Sequence, residues 1–150
     1  MTMDLKRFAS CLKKAIRTDA AYEALDAGPI SGDWLEGGCW TLAHAVAGLL
    51  DGELWAFVSR PKHSQTLVVQ HVVVKVGNKF IDGDGLWTEN DLFDHFIEVV
   101  ERWPTFSGHL DLVPFTPRMQ ATATRREWAI CDTRAATAIL PALMKCARRR

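Results

Sequence analysis

The chain has 150 residues, 18 basic and 18 acidic side chains, and a formal net charge of zero. That length is the usual size of one domain and lets roughly 70% of the unfolded surface be buried. A composition of 48% apolar and 24% charged residues excludes wholesale disorder. No apolar run approaches the roughly 18–20 residues of a membrane span. Met1 to Arg17 carries charges every few residues where a secretion signal would have an apolar core.

The zero is a sum of opposites. Residues 39–116 hold 5 basic against 10 acidic side chains, whereas residues 117–150 hold 8 basic against 2 acidic and end in Arg148-Arg149-Arg150. A solvated helix whose basic end complements its dipole accounts for such a tail. It also leaves an anionic partner open, although the aromatic interleaving of single-strand binders is missing. The cysteines at 11, 39, 131 and 146 include no C-x-x-C pair, so no zinc knuckle or thioredoxin-like redox site is signalled. Without a signal segment, reduced thiols in a cytoplasm are the expectation. Cys11, Cys131 and Cys146 lie in helix-like apolar patterns and read as small core residues.

In chain order, Leu5, Phe8, Leu12 and Ile16 have helical spacing. A second helical stretch, Ala20 to Leu25, stops before Gly28-Pro29. Gly32 to Gly38 is a glycine-rich approach to a buried helix from Cys39, ended by Asp51-Gly52. Leu54 to Val58 reads as a strand and Ser59 to Gln65 as a polar loop with Pro61 and His63. Thr66 to Val76 and Lys79 to Asp82 read as two strands joined at Gly77-Asn78, which suits a type II′ hairpin. Thr88 is the expected N-cap of an amphipathic helix to about Trp103, before Pro104. Leu110 to Phe115 reads as a last strand. Arg118 to Arg150 reads as helix in two parts, with Asp132 capping the second and Pro141 kinking it. The fold class expected is α+β with a small antiparallel sheet, in one domain spanning residues 1–150.

Three features carry chemistry. Gly37-Gly38-Cys39-Trp40 puts a thiol at a helix N-terminus, where the dipole favours thiolate, the nucleophile of acyl transfer. Gly37 and Gly38 would let a substrate backbone come close, and the Cys39 N–H would be open to an oxyanion. His71 occupies a position in an apolar strand. Ile81-Asp82-Gly83-Asp84-Gly85 ends the return strand. With a two-residue loop, paired positions sum to 155, placing His71 opposite Asp84 and Val73 opposite Asp82. His71, Asp82 and Asp84 then share one face, and either carboxylate would orient the imidazole.

Gly-Gly-Cys-Trp opening a helix, His on a strand and Asp on the paired strand resemble the papain-like cysteine hydrolase superfamily. The short Cys39-to-His71 interval is more like its compact members: bacteriocin-processing peptidases, small cell-wall amidases, transglutaminase-like enzymes and bacterial effector proteases. The resemblance covers roughly residues 32–94. It implies a papain-like core, Cys39 as nucleophile, His71 as general base and then acid, and Asp82 or Asp84 as the orienting residue. The bacteriocin-processing type favours Asp84 and the transglutaminase type Asp82. The glutamine that such enzymes place about six residues before the cysteine is Asp33 here, an acceptor only when ionised. Trp34 or a backbone N–H would then serve the oxyanion, and Trp34, Trp40 and Trp87 would wall a substrate groove beside Asp33 and Gly38.

The function expected is a thiol-dependent hydrolase of a peptide or side-chain amide, without cofactor or metal, with a protein or peptide substrate and no membrane partner. Deamidation, transamidation and acyl transfer share its first half-reaction. A catalytically silent relative binding a macromolecule is the alternative. His63 lies near the site in sequence; His44 falls off the Cys39 face of its helix; His95 and His109 read as surface or cap residues.

Overall fold

The structure is a computed structural model that describes residues 3–30, 32–63, 67–102 and 106–148. Among these, six helices accompany one five-stranded antiparallel sheet, so the chain is α+β. Helix α1 (Leu5–Ala15) starts where Asp4 accepts from the Arg7 N–H at 3.1 Å, and it buries Phe8 and Leu12. Helix α2 (Asp19–Asp26) is capped by Thr18 and buries Leu25. Helix α3 (Cys39–Leu50) buries Trp40, Thr41, Leu42, Ala43, Ala45 and Val46, more than one face can hold. It needs cover on both sides, and lies between strand β2 (Val68–Val76) and helix α6 (Thr133–Arg148). Asp51, left-handed at φ 53°, ends it.

The remaining strands are β1 (Glu53–Pro61), β3 (Lys79–Asp82), β4 (Gly85–Trp87) and β5 (Phe106–Pro114). The sheet order is β4-β3-β2-β1-β5. One face packs under α1, α2, α3 and α6 through Val58, Val69, Val72, Val74 and Ile81. The other, through Phe57, Val73 and Phe80, meets Leu92, Phe96 and Val100 of helix α4 (Glu89–Val100). Helix α5 (Pro117–Arg125) begins behind the Thr116 cap and has proline in its first turn, where no helical N–H is lost. Among the described residues no helix is long and apolar enough to cross a membrane.

Several sequence expectations change. The polar loop expected from Ser59 is the second half of β1, because Ser59 and Pro61 pair with Leu110 and Phe106 of β5. Residues 64 and 65 of that loop lie outside the described residues, as do Thr66 of the next expected strand, Trp103, Pro104 and the last two arginines; α4 ends at Val100. Strand β4 went unforeseen, since three residues show no periodicity. The hairpin holds: Gly77 has φ 62° and Asn78 no positive φ, as type II′ requires, and Val76↔Lys79, Lys75↔Phe80 and Val74↔Ile81 keep the expected register. Beyond Ile81 the register stops, because β3 turns back into β4 with Asp82 paired to Gly85. Asp84 therefore sits in a turn and not opposite His71.

The cysteines also depart from expectation. Cys11 and Cys146 are joined by a disulfide across 135 residues, tying α1 to α6. That partner is invisible to spacing arguments, which see only neighbours in sequence. A disulfide weighs against the reducing cytoplasm expected above, where thiols are kept reduced. Cys131 is free and half-buried; burial first, then the Asp132 carboxylate, push its thiol up to about 11.

Candidate active site

The loop before α3 is built to bring Cys39 to the sheet. Asp33 Oδ1 accepts from the N–H groups of Leu35 and Glu36 at 2.8 and 2.7 Å, and the Gly38 N–H closes on the Asp33 carbonyl at 2.9 Å. A Cβ on Gly38 would stand 2.6 Å from that carbonyl. Packing within the loop thus accounts for Gly38, where close approach of a substrate had been expected. Asp33 is a turn-forming acceptor. Trp34 is buried and donates its indole N–H to the Ala21 carbonyl at 3.0 Å, so that N–H is not available to an oxyanion. Trp40, expected as a groove wall, is buried and packs edge-on against Phe115 at 5.0 Å.

Cys39 is the first residue of α3, and its sulfur accepts from three directions: the His71 side chain, the Val72 N–H and the Trp40 N–H. The Val72 donor has a clear origin. In this register Val72 and Gly83 would form the next hydrogen-bonded pair of β2 and β3, but β3 ends at Asp82. The freed N–H faces the sulfur instead. The Cys39 N–H is also among the first of α3, which the helix leaves unpaired.

His71 is 7% exposed, on the α4 side of β2, and lies nearly parallel to Phe96 (centroids 5.1 Å apart, 15° between planes) and Phe57 (6.3 Å, 17°), which stack on each other at 4.5 Å. The two rings hold the imidazole plane. Its Nε2 lies 3.2 Å from Asp82 Oδ2, which leaves Nδ1 toward the thiol. Asp82, 8% exposed, is itself fixed: its Oδ1 accepts from the Asp84 N–H (2.9 Å), the Gly85 N–H (3.1 Å) and the Trp87 indole (3.0 Å). Of the two candidate carboxylates, Asp82 meets His71. Asp84 pairs with Arg17 (3.1 Å) and His95 (3.4 Å).

Electrostatics follow the geometry. Burial by itself raises the Cys39 thiol, but the hydrogen bond and charge of His71 and the two N–H donors outweigh it and hold the thiol below 9.0. Burial likewise lowers His71, and the Asp82 and Cys39 contacts overcome it, pushing the imidazole up to about 10. Asp82 is lowered against its burial by His71, Trp87 and the Asp84 N–H. The contact thus favours the charged form of each group, thiolate on Cys39 and imidazolium on His71.

A cavity of about 10 Å³, the size of one water molecule, lies beside Cys39, His71 and Asp82 and is bordered by Leu12, Trp34 and Ile81. One rung along the sheet from the Phe57–His71 pair, Val58 and Val69 floor a hollow of about 280 Å³ closed by Met119, Thr122 and Trp128. The sequence read Trp128 as packing; only the fold of α5 over the sheet brings it here. Trp87 was expected as a groove wall and instead donates to Asp82 and stacks on His95 at 4.6 Å. His63 is exposed at φ 66°, and His44 borders a separate hollow between α3 and α6. Among the described residues no group of three or more His, Cys, Asp or Glu is placed to hold a metal ion. Comparison with family models, curated proteins and solved structures returns no match.

Proposed function

We propose that this protein is a cysteine-dependent hydrolase with a papain-like core, acting on the carbonyl of a peptide or side-chain amide. One observation carries the proposal: Cys39, His71 and Asp82 border one water-sized cavity, with the imidazole 3.2 Å from the Asp82 carboxylate and acting on the Cys39 thiol, on a helix N-terminus and two adjacent strands. A structural cysteine needs no ion pair, and a buried thiolate and imidazolium are costly to hold without a use.

In the reaction, the Cys39 thiolate attacks the carbonyl carbon and the oxygen takes up the negative charge, with the Cys39 N–H as its nearest backbone donor. The His71 imidazolium gives its proton to the leaving amine as the C–N bond breaks, and a thioester remains on Cys39. Neutral His71 then takes a proton from water as the hydroxide adds to the thioester, and the tetrahedral adduct expels the Cys39 thiolate, releasing a carboxylic acid that gives its proton to solvent and leaving thiolate and imidazolium re-formed. Asp82 keeps the ring oriented and stabilises its cationic state. The hollow floored by Val58 and Val69 would take an apolar residue of the substrate next to the scissile bond.

The test is mass spectrometry during reaction with an activated acetyl ester. The expected result is one acetyl group on Cys39, formed and then lost as acetate accumulates, with no adduct in Cys39→Ala. Acetylation confined to Cys131, or none at all, would overturn the proposal.

A further inference from the structure

We infer that Arg17 is a positioning residue for the Cys39–His71–Asp82 chain, acting through the Gly83–Asp84 turn; the inference rests on the thiolate–imidazolium state proposed above. Arg17 follows α1 and reaches across to the turn between β3 and β4. Its Nη1 donates to the Gly83 carbonyl at 3.0 Å and to the Lys13 carbonyl at 2.6 Å, and its Nη2 pairs with Asp84 Oδ1 at 3.1 Å. One planar fork thereby ties the end of α1 to both residues of the turn.

The Gly83 contact matters most. In an uninterrupted hairpin the Gly83 carbonyl would accept from the Val72 N–H, the continuation of the Val74↔Ile81 pair. Arg17 takes that carbonyl, and the Val72 N–H is left to the Cys39 sulfur. The same turn supplies the Asp84 and Gly85 N–H groups that hold Asp82 Oδ1, and so aims Oδ2 at His71. Gly83 is pressed against the end of α1: a Cβ there would stand 2.7 Å from Ile16 and 2.6 Å from Leu35. From α4, His95 Nε2 meets the other oxygen of Asp84 at 3.4 Å and stacks on Trp87. The titratable and charged groups that face the turn are thus Arg17 after α1, His95 from α4 and Asp82 from β3. Arg17 and Asp84 are each 34% exposed, and exposed ion pairs contribute little to global stability. The effect of Arg17 therefore belongs at the sulfur.

The experiment is the pH profile of Cys39 carboxamidomethylation by iodoacetamide in the full chain, for the wild type, Arg17→Met, Arg17→Lys and Thr116→Ala. The last removes the α5 cap and controls for destabilisation at a distance. The wild-type midpoint is expected below 9.0. Arg17→Met is expected to raise it by about one pH unit, roughly a tenfold loss of thiolate at any pH well below the midpoint. Arg17→Lys keeps the charge on Asp84 without the fork and is expected between the two. Thr116→Ala should follow the wild type. An Arg17→Met profile superimposed on a low wild-type midpoint overturns the inference and leaves the hydrolase proposal standing. A wild-type midpoint at or above 9.0 overturns both.

Discussion

The N–H of Val72 donates to the sulfur of Cys39 at the place where β3 parts from β2. A helix and a strand separated in sequence by β1 thus share one sulfur, and the strand supplies both the imidazole and a backbone donor to it. The thiolate is held by His71 chiefly and by two amides besides, so removing the imidazole should cost most of its stabilisation. His71→Ala is expected to bring Cys39 alkylation to the pH range of an ordinary thiol or above it, since burial then acts unopposed except by the amides. Rates at pH 7 should fall at least about tenfold. An unchanged profile would mean that His71 does not set the state of the sulfur.

Asp82 and Asp84 separate cleanly in the structure, and their amide variants should separate in solution. Asp82→Asn keeps an oxygen for the Trp87 and backbone donors but removes the charge that holds the imidazolium, so the His71 value should drop from about 10 and alkylation at neutral pH should slow. By analogy with buried charge-assisted hydrogen bonds, about 1.5–3 kcal/mol of ion-pair stabilisation is at stake, roughly 10- to 150-fold in rate. Asp84→Asn, which loses only the pairs with Arg17 and His95, is expected to fall by less than about tenfold. The opposite order would exchange their roles.

Why the sequence left these two aspartates unresolved is physical. Gly77-Asn78 fixes the hairpin register, and that register holds for the three pairs next to the turn. Where pairing stops is decided by tertiary contacts: Arg17 captures Gly83, and Asp82 caps its own turn through the Asp84 and Gly85 amides. No local pattern encodes a guanidinium 66 residues away. Cys39 and His71 were legible because glycine context and a histidine in a valine run break the expected pattern. Trp34 and Trp40 are both buried, because an aromatic beside a cysteine in sequence points into the core as readily as into a groove, and of the two Trp34 borders the cavity beside Cys39. The helix caps at Thr88 and Asp132 were legible for the opposite reason: a cap acts within three residues, as Thr88 does on the Asp91 N–H and Asp132 on those of Arg134 and Ala135.

The Cys11–Cys146 bond closes a loop of 135 residues, and cross-links over long loops restrict the unfolded chain most. The double variant Cys11→Ser/Cys146→Ser is expected to lose about 2–5 kcal/mol of unfolding free energy. Urea denaturation with and without a reducing agent checks it. Reduced wild type should match the double variant, and the variant should not respond to reductant. A denaturation curve indifferent to reductant in the wild type would show that the two thiols are not joined in the folded protein.

The ion pair also shapes stability against pH, and the two groups act with opposite sign. His71, raised from 6.5 to about 10, contributes stability that is complete below 6.5 and is lost as pH climbs toward 10. Cys39, lowered from 9.0, contributes stability that is complete above 9.0 and is lost as pH falls through its folded value. Between the folded Cys39 value and 9.0 the two slopes oppose each other, the His71 contribution being lost as the Cys39 contribution is gained. Above 9.0 the unfolded pair binds one proton fewer than the folded pair and stability falls with base, by up to about 1.4 kcal/mol per pH unit. Cys39→Ser removes one partner. Its unfolding free energy, relative to wild type, should decline as pH rises from 6.5, because only the His71 proton remains to be lost. Urea midpoints taken across this range for both proteins decide the matter. Parallel curves would mean that Cys39 and His71 do not share a proton in the folded state.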